Sequence, residues 1–535
     1  MATQRHDLLS ASSVWIEPIV PLTPQVIKCS AIENLCAHVY PSPTYFWRLQ
    51  PEQDVRTLFE YFCHGLSRLI YQQPHLAGTL RQDERGAFSV EIPPAPNAGT
   101  RLHFRDLSTD VLFPTFDQLE KDGFPFADVQ NDGLGKLAPN PFPASEAGDP
   151  VIVQQLTHVS GGLILVSSYT HLIGDLVQGI QLGVSWAKHT RDVIEATING
   201  SPLPLVPEQI PRALSDRTRL LPLTEAPTGL AELRKKSESL PDWTLMDPAD
   251  PEATLEVMKN FMPQALLSAS EQRRELELRE PTVGIWRFSL SDRTALHHAA
   301  QRAAPSDVKL SSIDVLTAFL WKQFFWAKYS VDGPIDKDAV QHHSTLVYAG
   351  DVRSRLDPVL PRAYIGAAVD LFRVTLPGSS FVTKTSFEDQ VKQLTTIALA
   401  IRQSNSNWDR DQFMKMLELS MHTPGVPGFM PRGPVDMFIT DHTRAAPLLS
   451  ADWGPGLGRS LGFREPYLGR GCPAGEATLL PFHENGDVEV MIAGESIVLS
   501  RLRANKEMQQ WSTCKFVRYD VVDEARRAHA RGTKL

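Results

Sequence analysis

Cysteine is scarce in this sequence. The five present (Cys29, Cys36, Cys63, Cys472, Cys514) follow no metal-ligand spacing and fall short of a secreted disulfide framework. They fit free thiols in a reducing compartment, with Cys29 and Cys36 expected to be buried. No run of 18 uncharged apolar residues occurs, which excludes an ordinary transmembrane helix. Met1 to Asp7 carries charge with no apolar core behind it, so no secretory signal is visible and a cytoplasmic location is expected. Basic charge is in deficit: 53 Lys and Arg against 62 Asp and Glu leave a net charge of -9, with no long Lys/Arg run. That removes the electrostatic footprint of a nucleic-acid or anionic-membrane binder. A Gly-x-Ser-x-Gly elbow is missing too, since Ser160-Gly161-Gly162 does not form one, and this disfavours a serine nucleophile.

What is there describes a globular protein, 42% apolar and 21% charged. A chain of 535 residues exceeds one ordinary core, so two domains of roughly 200–250 residues are expected. Strands are predicted at Ser13–Ile16, Phe88–Ile92, Leu102–Arg105, Trp286–Ser291 and Val488–Ile492, with more between Val359 and Leu376. Leu58, Phe59, Phe62, Leu66, Leu69 and Ile70 share one face of a predicted helix over Thr57–Ile70. Ser311–Tyr329 predicts a longer helix with apolar residues on several faces, hence buried. Residues 202–211 and the charged stretch 228–281 read as surface.

The chemistry-bearing segment is Ile164–Thr170, which alternates as a half-buried strand and delivers His171 at its end. Leu172-Ile173-Gly174-Asp175 follows, and Asp175 opens a predicted helix whose apolar stripe is Leu176, Val177, Ile180 and Val184, with Leu182 and Trp186 off it. Imidazole is the general base best suited to neutral pH. Asp175 could orient that ring. The plainer role is structural: a short Asp at a helix start satisfies backbone N–H groups or pairs with a buried Arg.

Far downstream lies Ala451-Asp452-Trp453-Gly454-Pro455-Gly456-Leu457-Gly458-Arg459. His171-x-x-x-Asp175 and Asp452-Trp-Gly-x-Gly together resemble the BAHD family of CoA-dependent acyltransferases, in particular the fungal branch that includes trichothecene O-acetyltransferase. The family pattern reads His-His-x-x-x-Asp-Gly and Asp-Phe-Gly-Trp-Gly. Thr170, Leu176, Trp453 and Pro455 depart from it. Further matches are His75–Leu80, Ser311–Trp321, Asp351-Val352-Arg353-Ser354-Arg355, and Tyr364–Ala367, where Ala367 replaces a usual Asn.

The resemblance implies an α/β (mixed α+β) fold of two similarly folded chloramphenicol-acetyltransferase-like domains with an interdomain channel. The expected division is residues 1–225, a charged crossover or insert at 226–285, and 286–535, with some segment exchange. It implies an acyl-CoA-dependent O-acyltransferase. His171 takes the acceptor proton, the acceptor attacks the thioester directly, and no residue is acylated. Asp452, Gly454 and Gly456 form a structural loop in this pattern, with Asp452 pairing to Arg353 or alternatively Arg355. Lys309, Ser311, Ser312 and Arg459 are candidates for holding CoA, and Thr440 and Thr443 for the tetrahedral oxyanion. Trp15, Tyr45, Phe46, Trp47, Phe372 and Phe438 line the acceptor site or are simply core. Partners are a small-molecule acceptor, a terpenoid, polyketide or alkaloid alcohol, and acyl-CoA, with acetyl-CoA the default donor. No permanently bound cofactor, metal, nucleic acid or membrane insertion is expected, and the chain is expected to be a monomer. Two alternatives stay open: a CoA-independent cyclase or condensation-type catalyst in the same channel, and a non-catalytic metabolite-binding protein.

Overall fold

Thirteen strands make two large sheets. In chain order they are β1 (Ala11–Ile16), β2 (Thr44–Arg48), β3 (Thr100–Asp106), β4 (Ile152–Val159), β5 (Gly162–Tyr169), β6 (Pro281–Phe288) and β7 (His343–Asp351). They continue with β8 (Val369–Pro377), β9 (Met437–Asp441), β10 (Gly462–Arg464), β11 (Gly475–Leu479), β12 (Val488–Glu495) and β13 (Thr513–Val517). The computed structural model describes residues 11–36, 39–84, 86–111, 113–125, 147–220, 230–240, 242–245, 255, 281–330, 335–382, 384, 386–422, 429–431, 435–465 and 475–517. Cys472, the first ten residues and most of the charged stretch 246–280 lie outside the described residues.

The first sheet has the order β1-β3-β4-β5-β2-β10, parallel only between β3 and β4. The second has the order β8-β7-β9-β11-β12-β6-β13, with β9 parallel to both β7 and β11. The edge strand β10 comes from the far end of the sequence and pairs with β2, so the first sheet is completed by late residues.

Seven helices matter for the site: α1 (Val55–Gln72), α2 (Leu176–Ile198), α3 (Leu290–Ala303), α4 (Ser312–Tyr329), α5 (Phe387–Ser406), α6 (Ala446–Ser450) and α7 (Ser496–Ala504). Asp54 starts α1 by accepting from the Arg56 and Thr57 amides, which satisfies two otherwise unpaired donors. Its stripe of Leu58, Phe59, Phe62, Leu66, Leu69 and Ile70 enters the first core. Ser311 and Asp314 form a reciprocal capping box at the start of α4, which is buried nearly all round.

Strand parity sorts the second sheet into two faces. Trp286, Phe288, Met437, Ile439, Ala477, Leu479, Val488, Val490 and Ile492 pack on α3, α4, α5 and α7. Val283, Ile285, Met491 and Ala493, on the opposite face, join the first core.

Three local expectations are corrected. All eight residues of β5 are buried, because Leu163, Leu165 and Tyr169 enter the first core while Ile164 and Val166 pack under Phe116 and Phe124. A strand covered on both faces loses the alternation that a half-buried one needs. In α2 the core face is that of Leu182, Trp186 and Ala187, while Leu176, Ile180 and Val184 only flank it. Aromatic packing onto Trp186 decides the rotation of this helix, which an aliphatic stripe alone misjudges. Strand structure between Val359 and Leu376 begins only at Val369; of the residues before it, Tyr364 to Ala368 form a buried loop around Arg353 while Val359 is exposed.

Candidate active site

His171 opens a 3-10 turn (His171–Ile173) directly after β5. Thr170 caps that turn by accepting from the Leu172 amide, and the His171 amide donates to Val39 O at 2.9 Å. Gly174 follows because the chain crosses Ile365 closely there: a Cβ would come within 2.1 Å of the Ile365 carbonyl oxygen. The turn therefore tolerates no side chain at this position.

Asp175 caps α2. Its Oδ1 accepts from the Val177 amide at 3.0 Å and from Arg353 Nη2 at 2.8 Å, and its Oδ2 accepts from the Ala368 amide at 3.0 Å. Arg353, 2% exposed, also donates to the carbonyls of Tyr364 and Gly366 and to Asp351. A second buried pair braces the same turn. Arg217 lies 3.0 Å from Glu33 and donates to Ile173 O at 2.7 Å, and Glu33 accepts from the Ser30 amide at 2.7 Å. Fixed ion pairs on both sides of Gly174 set the direction in which His171 leaves the strand.

The His171 ring is deeply placed and its Nδ1 has no hydrogen-bond partner. Burial lowers its pKa below the ordinary histidine value; contact of the ring with the backbone of His171 and Gly174 and the charge of Asp175 pull the other way, and the charge of His442 adds to the lowering. An imidazole kept neutral is what a general base requires.

His442 is the neighbour that sequence reasoning missed. It directly follows β9, and its Nδ1 lies 2.6 Å from Glu465, the residue after β10. Burial disfavours its charged form, yet Glu465, Asp441 and Glu476 outweigh that and raise its pKa. Burial likewise drives Glu476, on β11, up to about 7, with His442 opposing. The signal available was the strand-end placement of Phe438-Ile439-Thr440-Asp441-His442, the same kind that singled out His171.

The chain matches the family model described as "Trichothecene 3-O-acetyltransferase-like N-terminal domain" over residues 39–185. It matches the "Transferase family" over residues 213–508, more than half of its length. The chain belongs to the BAHD-type CoA-dependent acyltransferases. Acyltransferase easC of Emericella nidulans is 26% identical over 515 residues, covering 93% of this chain and 97% of that protein. F. graminearum TRI101 complexed with coenzyme A and deoxynivalenol superposes with a TM-score of 0.70 at 18% identity, covering 92% of this chain and 100% of that one. Vinorine synthase superposes at 0.56 and 16% identity, covering 96% and 98%.

In this acyltransferase, Arg353 joins Asp175, and the expected pairing of Asp452 with Arg353 or Arg355 is wrong. Arg355 donates to Asn405 O at 2.7 Å and lies against Phe372 and Trp408. Asp452 instead accepts from the Gly454 amide at 2.9 Å and stands 4.0 Å from Arg191. Gly454, with φ 103°, passes Arg191 so closely that a Cβ would sit 2.9 Å from its Cα. Trp453 is fully buried among Tyr45, Trp47, Phe62 and Trp186.

The Thr443 hydroxyl donates to Asp441 at 2.6 Å, and Thr440 lies on β9 beside Thr478 of β11. Ser311 spends its hydroxyl on the Asp314 amide, Ser312 begins α4, Lys309 is exposed, and Arg459 pairs with Glu484 at the surface. Of the six candidate aromatics, Tyr45, Phe46, Trp47 and Phe372 are core, Trp15 is 40% exposed, and Phe438 is partly exposed on β9.

Proposed function

We propose that this acyltransferase moves an acyl group, most simply acetyl, from acyl-CoA to a hydroxyl of a small secondary metabolite, with His171 as general base. Two similarly folded halves, residues 1–225 and 286–535, leave a channel that CoA thioester and acceptor enter from opposite sides. His171 takes the hydroxyl proton as the acceptor oxygen attacks the thioester carbonyl. The tetrahedral intermediate collapses, the C–S bond breaks, and the imidazolium returns its proton to the departing sulfur. Asp175 and Arg353 hold the turn and do not touch substrate. Lys309, Ser311, Ser312 and Arg459 remain the cations and hydroxyls proposed for CoA, with Lys309 the least engaged elsewhere.

The observation that carries this reading is His171 itself, neutral and braced at a strand end beside two buried ion pairs. The test is release of free thiol from acetyl-CoA with a panel of hydroxylated metabolites. His171→Ala is expected to lower kcat/KM by about 100-fold or more while leaving the melting temperature near wild type, the usual scale for a positioned proton-transfer group. The wild-type kcat/KM is expected to fall at acid pH, with its midpoint below the ordinary histidine value because the pKa of the His171 ring is lowered. An alanine variant that turns over like wild type would remove His171 from the chemistry.

A further inference from the structure

Each sheet delivers one histidine in the same way. After β5 come His171, a 3-10 turn (His171–Ile173) and helix α2; after β9 come His442, a 3-10 turn (Thr443–Ala445) and helix α6. On β9, Met437 and Ile439 point into the helix-covered core, so Phe438 and Thr440 occupy the opposite face. That is the face which Met491 and Ala493 turn toward the first core, and continuing the alternation places His442 on it.

Two consecutive residues at the end of β10 tie this face to the first sheet. Arg464 reaches Glu489 of β12 at 2.7 Å, and Glu465 reaches His442 at 2.6 Å. The turns that follow the two histidines meet in the first core, where Ala445 and Leu448 pack with Leu172 and Ile173, and the charge of His442 acts on the His171 ring. Glu465 stands 2.6 Å from Nδ1 of His442, an ion-pair distance without the alignment of a hydrogen bond, and with Nδ1 facing that carboxylate it is Nε2 that is left to meet a ligand; the side chain retains 18% exposure.

We propose that His442 is the second histidine of the active site: held by Glu465, its ring supplies the cationic hydrogen-bond donor for the oxygen of the tetrahedral intermediate. This rests on the acyl-transfer reading above. As the thioester carbonyl is attacked, its π pair moves to oxygen, and the Nε2–H of His442 donates to that oxyanion without giving up the proton. The pair returns when the C–S bond breaks, and the proton balance stays with His171. Of the two threonine candidates, Thr443 already spends its hydroxyl on Asp441, and Thr440, on the same face of β9, offers only a neutral hydroxyl. A charged donor set beside a developing charge in a site shielded from water stabilises it more than a neutral hydroxyl does.

The groups facing His442 are Glu465 after β10, Asp441 of β9, Glu476 of β11 and His171 after β5. Three acidic groups keep the ring protonated above the ordinary histidine range. The activity contributed by His442 is therefore present at low and neutral pH and fades as pH rises through its raised pKa.

The experiment uses the full chain and acetyl-CoA, following enzyme-dependent thiol release with water and with a simple alcohol panel as acceptors from pH 5 to 9. His442→Gln is expected to lower kcat by about 100- to 1000-fold, the scale for removing one oxyanion donor, with CoA affinity by calorimetry and melting temperature little changed. Glu465→Gln is expected to keep turnover at low pH and move the alkaline limb to lower pH, because the largest force raising the His442 pKa is gone. A merely structural ion pair would change stability and leave that limb where it was. A His442→Gln enzyme within a few-fold of wild type, or a limb unmoved in Glu465→Gln, overturns the proposal. If His171→Ala is inactive in the same assay, the acyl-transfer reading survives that failure. Thiol release indifferent to both histidines, or absent in the wild type, counts against both.

Discussion

Asp175 and Asp452 begin alike, each a short acid ahead of a tight turn that carries a family motif, and they end in opposite surroundings. The Asp175 side chain is 4% exposed and meets Arg353 at 2.8 Å, whereas Asp452 is 49% exposed and stands 4.0 Å from Arg191. Asp175 fixes chain segments nearly two hundred residues apart. In the Asp452 loop that task falls to the neighbour, Trp453, buried in an aromatic cluster of the first core. A motif acid is structural to the degree that its partners are buried with it, and spacing alone does not say which residue of a motif bears the packing.

Substitutions can break this contrast, beginning with the largest expected effect. Asp175→Ala leaves Arg353 buried with only the part-exposed Asp351 carboxylate, and should cost about 3–5 kcal/mol in urea unfolding, the range for removing one partner of a buried pair. A loss below about 1 kcal/mol would make the two acids equivalent. Trp453→Ala should cost about the same, 3–5 kcal/mol, by emptying a core site that neighbouring rings can only partly refill. If its midpoint matched that of the wild type, the loop would not be packed as described. Asp452→Ala, by contrast, should cost about 1 kcal/mol or less, since a half-exposed pair at this distance is weak and screened by salt. A loss comparable to that of Asp175→Ala would restore the family expectation that Asp452 is the principal anchor.

The sequence made the local part of the site legible. His171 at the end of β5, Asp175 at the start of α2 and the capping box of α4 are all set by residues within a few positions of one another. Pairings across long separations were not legible. Arg353 could have met either aspartate, and only the folded chain selects Asp175. Glu33 and Arg217, 184 positions apart, carry no pattern that joins them. His442 was readable in principle by the criterion applied to His171, but no family motif drew attention to it. The rotation of α2 follows Trp186 and not the stripe of Leu176, Val177, Ile180 and Val184, because the larger ring has more surface to bury.

The late origin of β10 also bears on synthesis. Strand β2 keeps an open edge, and the rings of Trp47, Phe62 and Trp186 lack their central neighbour, until residues 453–464 have left the ribosome. By then β6 to β9 of the second sheet are already made. The amino-terminal sheet is therefore first in order of translation yet stays open until four of the second sheet's seven strands have been made, and a polypeptide ending near residue 225 would carry an unpaired strand edge and an open aromatic core.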